Sequence, residues 1–193
     1  MPKIGMEPIR RRQMIAATMA CIHQDGISKA SMQRIARRAG LTSGLIVHYF
    51  DDKDGLLEAV YRDLYRRLGE DVRSRLRTAR RPAERLIAIL EAQVSEEMLK
   101  PEIVATWFAI CAKIPETPVL RRLEHIYDKR LQSNLLYALK GLDLDNEDAL
   151  GITEELMALI DGLWLNLANP ISLTPDKARE ILFRYLKVRL PQL

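Results

Sequence analysis

Apolar residues recur along most of this chain of 193 residues at spacings of three and four, the period of an amphipathic helix. Prolines and glycines such as Gly40, Pro82, Pro101 and Gly141 separate the helical stretches. No stretch has the strict alternation of a half-buried strand, and we find neither an internal repeat nor a low-complexity tract. The pattern therefore predicts an all-α protein of about nine helices.

The most informative stretch covers residues 31–53. Residues 32–39 have the apolar spacing of a short helix, with Ser31 placed to cap its first turn and Gly40 suited to a left-handed residue after its end. A threonine–serine pair then opens a second, very short helix that ends at Phe50. Two short helices joined by a turn that contains glycine predict a helix-turn-helix.

The outward face of the second helix suits the major groove of DNA, with Ile46 and Phe50 turned inward. Small hydroxyl residues and a glycine at its N-terminus allow close approach, and the helix dipole favours phosphate there. The predicted DNA-binding residues are Ser31, Arg34, Thr42, Ser43, Gly44, Leu45, Val47, His48, Tyr49 and Lys53. The pattern alone also fits a solvated helical hairpin in a bundle.

The distribution of charge favours the nucleic-acid interpretation. Residues 1–55 contain nine Lys and Arg against five Asp and Glu, whereas residues 56–193 contain 21 of each, so the net charge of +4 lies in the segment with the helix-turn-helix. Such an asymmetry is typical of a nucleic-acid-binding domain. Lys3 and residues 10–12 also make the junction between the N-terminal arm (residues 1–8) and the first helix basic, and such an arm fits either a groove contact or a solvated segment.

The motif IARRAGLTSGLIVHYFDDKDGLLEAV at residues 35–60 resembles the DNA-binding signature of the TetR family of bacterial transcription regulators. The resemblance implies a repressor whose second helix reads bases and whose flanking residues contact phosphate oxygens. The implied base-reading residues are Thr42, Ser43, Gly44 and Leu45, and the implied phosphate contacts are Ser31, His48, Tyr49 and Lys53.

Four further segments resemble one branch of that family, the BetI-like repressors that respond to choline. They are MPKIGMEPIRRRQMIAATM, ATWFAICAK, KRLQSNL and ALIDGLWL, and they run through nearly the whole chain. One position departs from that branch: Ile110-Cys111 stands where the branch tends to carry a Phe-Trp pair. The resemblance therefore implies a small effector: a quaternary ammonium compound such as choline is one option, and a different inducer is the other.

The candidate effector site is built from aromatic residues beyond the helix-turn-helix. Trp107 shares a helix face with Cys111, and Asp161 shares one with Trp164. Aromatic faces with one carboxylate can enclose a small cation, and an Asp among apolar residues needs a partner if it is buried. The predicted set is Trp107, Phe108, Cys111, Tyr127, Asp161 and Trp164, although ordinary core packing explains any one of them equally well.

We expect two functional domains. Residues 1–53 form the DNA-binding domain, and residues 54–193 form the ligand-binding and dimerisation domain, with helix 54–77 as the connector. The last two helices carry more apolar surface than one pair needs, which predicts a homodimer through a four-helix bundle. Two recognition helices about 34–36 Å apart then read a palindromic double-stranded operator.

Other classes of function are disfavoured by the residues. The chain has three histidines and lacks HExxH, GxSxG and a Gly-rich phosphate loop, so we predict no enzyme, no metal site and no cofactor. Cys21 and Cys111 have no metal-ligand spacing and indicate a reducing compartment. With no signal peptide or membrane-spanning run recognised, we predict a cytoplasmic protein. A helical adaptor that binds protein partners stays the alternative.

Overall fold

The structure is a computed structural model that describes residues 6–169 and 171–191; Lys3 of the predicted basic arm lies outside them. These residues form nine α-helices and a single 3-10 turn at Ile114–Glu116, and they include no strand, which confirms the predicted all-α class. The helices are α1 Met6–Asp25, α2 Met32–Ala39, α3 Ser43–Phe50, α4 Lys53–Leu76, α5 Pro82–Gln93, α6 Pro101–Cys111, α7 Pro118–Lys140, α8 Asn146–Leu167 and α9 Pro175–Arg189.

Helix boundaries follow the capping residues in the sequence. The Ser31 hydroxyl accepts a hydrogen bond from the backbone N–H of Arg34 at 3.3 Å, and Gly40 ends α2 with a left-handed φ of 66°. Of the two residues that could cap α3, Thr42 does so, accepting from the backbone N–H of Leu45 at 3.4 Å. These local contacts fix the length and entry angle of both short helices.

The chain packs as two compact units. The first contains the chain up to Tyr65 together with Pro101–Arg121, and the second contains Arg66–Lys100 together with the chain from Arg122 onward. In the first unit α1 packs against α2 and α6, and α2 packs against α3; in the second, α8 packs against α9. This division describes packing, and the functional boundary after residue 53 stays a prediction.

Each unit has its own apolar core. The first buries Met14, Ile35 and Tyr61, and the second buries Leu90 and Leu139. Both cysteines are free thiols, with Cys21 buried and Cys111 half-buried. In the part of the chain that the structure describes, no single helix is long and apolar enough to cross a bilayer; by length and composition, one bent pair of consecutive helices meets that requirement together.

Candidate nucleic-acid interface

Helix α3 separates its residues into a buried and an exposed face. Ile46 is fully buried and Phe50 is 4% exposed, as the sequence predicted, so these two side chains anchor the helix on the first unit. The predicted DNA-binding residues on the other side are accessible: Thr42, Gly44, Val47 and His48 are exposed, and Ser43, Leu45 and Tyr49 are half-buried. The helix therefore offers a surface of small, apolar and hydrogen-bonding groups.

The start of α2, which packs against α3, forms a basic depression. Its volume is about 410 Å³, and it is lined by Lys29, Ser31, Gln33, Arg34 and Arg37. The guanidinium of Arg34 also contacts the Asp25 carboxylate at 2.7 Å, which compensates part of its charge. Cations near the unpaired N–H groups of a helix N-terminus favour an anion such as a phosphate group.

Lys53 is engaged within the protein. Its ammonium donates a hydrogen bond to the backbone carbonyl oxygen of Ile27, 2.7 Å away, in a partly buried position. The contact ties the start of α4 to the segment between α1 and α2. An ammonium carries three N–H donors, so the predicted phosphate contact of Lys53 stays a prediction alongside this internal bond.

Arg11 is a functional candidate that the sequence did not single out. Its Nη1 donates a hydrogen bond to the backbone carbonyl oxygen of Tyr49 at 2.8 Å. Its guanidinium lies 4.5 Å from the centre of the Phe50 ring. In the sequence Arg11 was one of three consecutive arginines, and the only signal separating it from Arg10 and Arg12 was its position on α1.

The junction between α3 and α4 is tightly built. Asp51 has φ 64° and ψ −58°, the conformation of a strained γ-turn, and the N–H of Asp52 donates to the carbonyl oxygen of Phe50 at 2.7 Å. The Asp52 carboxylate then accepts from the N–H of Gly55 at 2.8 Å, which caps the first turn of α4. The two helices are thus joined with almost no free chain.

The predicted effector residues divide between the two units. Trp107, Phe108 and Cys111 belong to the first unit, where Phe108 is exposed and the other two are half-buried. Tyr127, Asp161 and Trp164 belong to the second. Each group is therefore a candidate within its own unit. That all six residues form one cation-binding site, a cation cage, stays a prediction.

Two members of the second group have clear environments. Trp164 is 5% exposed, and its indole N–H donates to the backbone carbonyl oxygen of Gln93 at 3.1 Å, as expected of a core tryptophan. Asp161, in contrast, is exposed, so its carboxylate does not need a buried hydrogen-bond partner. Partial desolvation of its carboxyl group raises the pKa of Asp161 to about 6, and the carboxylates of Asp128 and Glu124 add to this increase.

The arrangement of His, Cys, Asp and Glu side chains in the described residues does not resemble a metal centre. Among the described residues, no three His, Cys, Asp or Glu side chains are grouped so that they could hold a metal ion. Cys21 is buried, and desolvation raises the pKa of its thiol, which keeps it protonated and unreactive.

Comparison with known proteins gives two family matches. Residues 14–60 match the model described as bacterial regulatory proteins, tetR family. Residues 82–191, more than half of the chain, match the model described as BetI-type transcriptional repressor, C-terminal. Together these matches cover both the helix-turn-helix and the region that contains the predicted effector residues.

Individual relatives agree with these matches. The chain is 44% identical over 170 residues to the HTH-type transcriptional regulator BetI of Yersinia pestis (strain Pestoides F), covering 87% of this chain and 85% of that protein. A candidate transcriptional regulator from Pseudomonas aeruginosa PAO1 has a similar structure, with 30% identity and a TM-score of 0.79 over 94% of this chain and 90% of that one. A candidate regulator from Saccharomonospora viridis, solved in complex with choline, has a TM-score of 0.78 at 24% identity, over 93% of this chain and 96% of that one.

A helix-turn-helix whose second helix exposes its outer face, set in an all-α chain with these matches, defines a DNA-binding transcription regulator and not an enzyme. The chain belongs to the TetR family, and its C-terminal part is of the BetI type. The family predicted from the signature at residues 35–60 is therefore confirmed.

Proposed function

We propose that the protein is a dimeric repressor that binds a palindromic operator and is released from it by a small cationic effector. The observation that carries the proposal is the exposed outer face of α3, together with the basic depression at the start of α2, the helix that packs against α3. A single short helix reads too few base pairs to define an operator, so a pair of these surfaces is needed.

The DNA contacts follow from the exposure of each group. Thr42, Ser43, Gly44, Leu45 and Val47 contact base edges, since they lie on the exposed or half-exposed face of α3. Contacts with phosphate oxygens are made by Ser31, Arg34, His48, Tyr49 and Lys53. Changing Ser43 or Leu45 should alter base preference, whereas removing a phosphate contact should weaken binding to all sequences alike.

The dimer forms through α8 and α9. These helices expose Leu150, Leu165 and Val188, which are 44%, 54% and 74% exposed. The pair is preformed within the protomer, because the Glu155 carboxylate accepts hydrogen bonds from the Tyr185 hydroxyl and from Nε of Arg189. Two such pairs, related by a two-fold axis, bury these apolar side chains in a four-helix bundle.

The effector is a small quaternary or primary ammonium compound. Desolvation, and after it the carboxylates of Asp128 and Glu124, raise the pKa of Asp161, and a bound cation relieves the repulsion among these carboxylates. Tyr127 offers a ring face for such a ligand in the second unit, and Trp107 and Phe108, with Cys111 on the same helix α6, offer ring faces in the first. The likeness to a regulator solved with choline supports this class of ligand.

Release depends on α4, the helix Lys53–Leu76 that contributes residues to both compact units. An effector that favours one packing of the larger domain tilts α4 and changes the spacing of the two recognition helices. Because the operator fixes that spacing, a small tilt lowers affinity, provided the effector discriminates between the two states. Operator DNA must then weaken effector binding by the same factor.

Two titrations test the effector claim. Calorimetry with choline, betaine aldehyde and spermidine should find at least one ligand, and that ligand should lower operator affinity in an anisotropy assay. Trp107→Ala should abolish ligand binding and leave DNA binding intact. Tyr137→Ala, which removes an exposed aromatic ring outside the predicted set, is the matched control and should bind the ligand normally. Normal binding by Trp107→Ala would disprove the cation cage while leaving the DNA-binding proposal in place.

A further inference from the structure

The C-terminal end of the recognition helix is held by one side chain from another helix. Nη1 of Arg11, on α1, donates to the carbonyl oxygen of Tyr49, 38 residues later in the chain, at 2.8 Å. This carbonyl belongs to the last turn of α3, where backbone oxygens have no partner within the helix. A cation at this end also interacts favourably with the helix dipole.

The same guanidinium covers the side chain that anchors α3. It lies 4.5 Å from the centre of the Phe50 ring, and Phe50 is only 4% exposed. The planar guanidinium therefore makes a hydrogen bond and a cation–π contact to adjacent residues at once, a combination that a lysine ammonium does not reproduce. Arg12, the next residue on α1, is exposed.

Helix α3 needs such an external contact. It has eight residues, and a helix of that length is marginal in water without tertiary packing. It is followed directly by the strained turn at Asp51. The contacts that hold α3 include the buried side chains of Ile46 and Phe50 and the hydrogen bond to the Tyr49 carbonyl oxygen, and Arg11 takes part in the last two.

We propose that Arg11 is a positioning residue for sequence recognition: it sets the angle at which α3 meets DNA and is not itself a phosphate contact. The inference rests on the proposed function, because it concerns the same DNA-reading helix. Its consequence is specific. Loss of Arg11 lowers discrimination between the operator and other DNA, while the electrostatic attraction to any duplex is retained.

The test compares Arg11→Ala with Arg12→Ala, which removes the same charge from the next position of the same helix. The probes are the duplex that wild-type protein enriches from a randomised library and a scrambled duplex of equal length and composition, each titrated between 50 and 200 mM salt. For Arg11→Ala we expect the ratio of the two affinities to fall about tenfold, the size of one charged hydrogen bond. The affinity for the scrambled duplex and the salt slope should stay at the wild-type values. Arg12→Ala should keep the wild-type ratio.

Four results would overturn the inference. A shallower salt slope, by about 0.9 for each lost contact, together with equal loss of both affinities would identify Arg11 as a phosphate contact. An unchanged ratio in Arg11→Ala would remove its role altogether. Arg11→Lys retains the charge and decides the matter if the alanine variant does not fold: a lowered ratio supports positioning, and wild-type behaviour contradicts it. Wild-type protein that enriches no duplex would overturn the proposed function and this inference with it.

Discussion

A Cβ atom built on Gly55 would lie 2.2 Å from the carbonyl oxygen of Phe50. This is far below any normal carbon–oxygen contact, so α4 begins against the last residue of α3 only because position 55 lacks a side chain. The backbone N–H of Gly55 also donates a hydrogen bond to the Asp52 carboxylate, which caps the first turn of α4. The spacing of recognition helix and connector helix therefore depends on one glycine.

Gly55→Ala should lower the free energy of unfolding by about 1–3 kcal/mol, the cost of forcing an extra methyl group into a packed site. Gly69→Ala is a control on the same helix, because a Cβ there has nothing within 4 Å. That substitution should stabilise the protein by about 0.5–1 kcal/mol, since alanine is the better helix former. Chemical denaturation measures both, and changes of the same sign would contradict the geometry.

Lys53 has a stabilising role that can be measured without DNA. Lys53→Ala removes the partly buried hydrogen bond to the Ile27 carbonyl oxygen and should lower the free energy of unfolding by about 1.5–3 kcal/mol. Lys29→Ala, at an exposed lysine of the same unit, should change it by less than about 0.5 kcal/mol. Equal stabilities of the two variants in thermal unfolding would leave Lys53 with no structural role.

The dimer is best tested at side chains that are exposed in the protomer. Leu163 and Leu182 are buried within the single chain, so a charge there would disrupt the fold itself. Leu165→Glu places an unpaired charge in the predicted bundle, where it costs several kcal/mol, and should give monomers in light scattering. Ile126→Glu, which alters an exposed residue of α7, should stay dimeric. A monomeric Leu165→Glu with wild-type operator affinity would contradict the two-fold model.

The carboxylate of Asp161 makes stability depend on pH. Because the pKa of Asp161 is raised to about 6 in the folded chain, the folded state binds more protons than the unfolded state between the ordinary Asp pKa of about 3.9 and that value. Stability from this group is therefore highest at low pH and falls as pH rises through this window. Without effector, Asp161→Asn should melt at a higher temperature than wild type at pH 8, and the difference should close near pH 4.

A second carboxylate variant separates this effect from net charge. Glu154→Gln removes an exposed carboxylate from the same helix, α8, and should not reproduce the pH-dependent gap. A constant difference between Asp161→Asn and wild type from pH 4 to pH 8 would show that Asp161 titrates normally. A cationic effector should also bind more tightly at pH 8 than at pH 5, since it needs the ionised carboxylate.

Local features of the fold were predictable from the sequence, because they depend on neighbouring residues. Ser31, Gly40 and Thr42 end or begin helices through bonds to residues at most four positions away. The inward direction of Ile46 and Phe50 likewise follows from helical periodicity. These features sufficed to recognise the helix-turn-helix and its family.

Contacts between distant residues were not predictable in the same way. Nothing in the spacing of α1 showed that Arg11 reaches Tyr49, or that Lys53 reaches Ile27, because each pair is brought together by packing. The environment of Asp161 could not be predicted either: its neighbours Ile160 and Leu163 are buried, whereas Asp161 itself is exposed with a partly desolvated carboxyl group. Periodicity gives the face of a helix, whereas the neighbours of that face depend on the whole fold.

The central claim is that α3 reads a DNA sequence, and its most direct test is the affinity of wild-type protein for the enriched duplex and for its scrambled counterpart between 50 and 200 mM salt. At physiological salt the enriched duplex should bind at least about 10³-fold more tightly. Both affinities should fall steeply as salt rises, because phosphate contacts release counterions. Equal affinity for the two duplexes, or binding that does not respond to salt, would contradict the account.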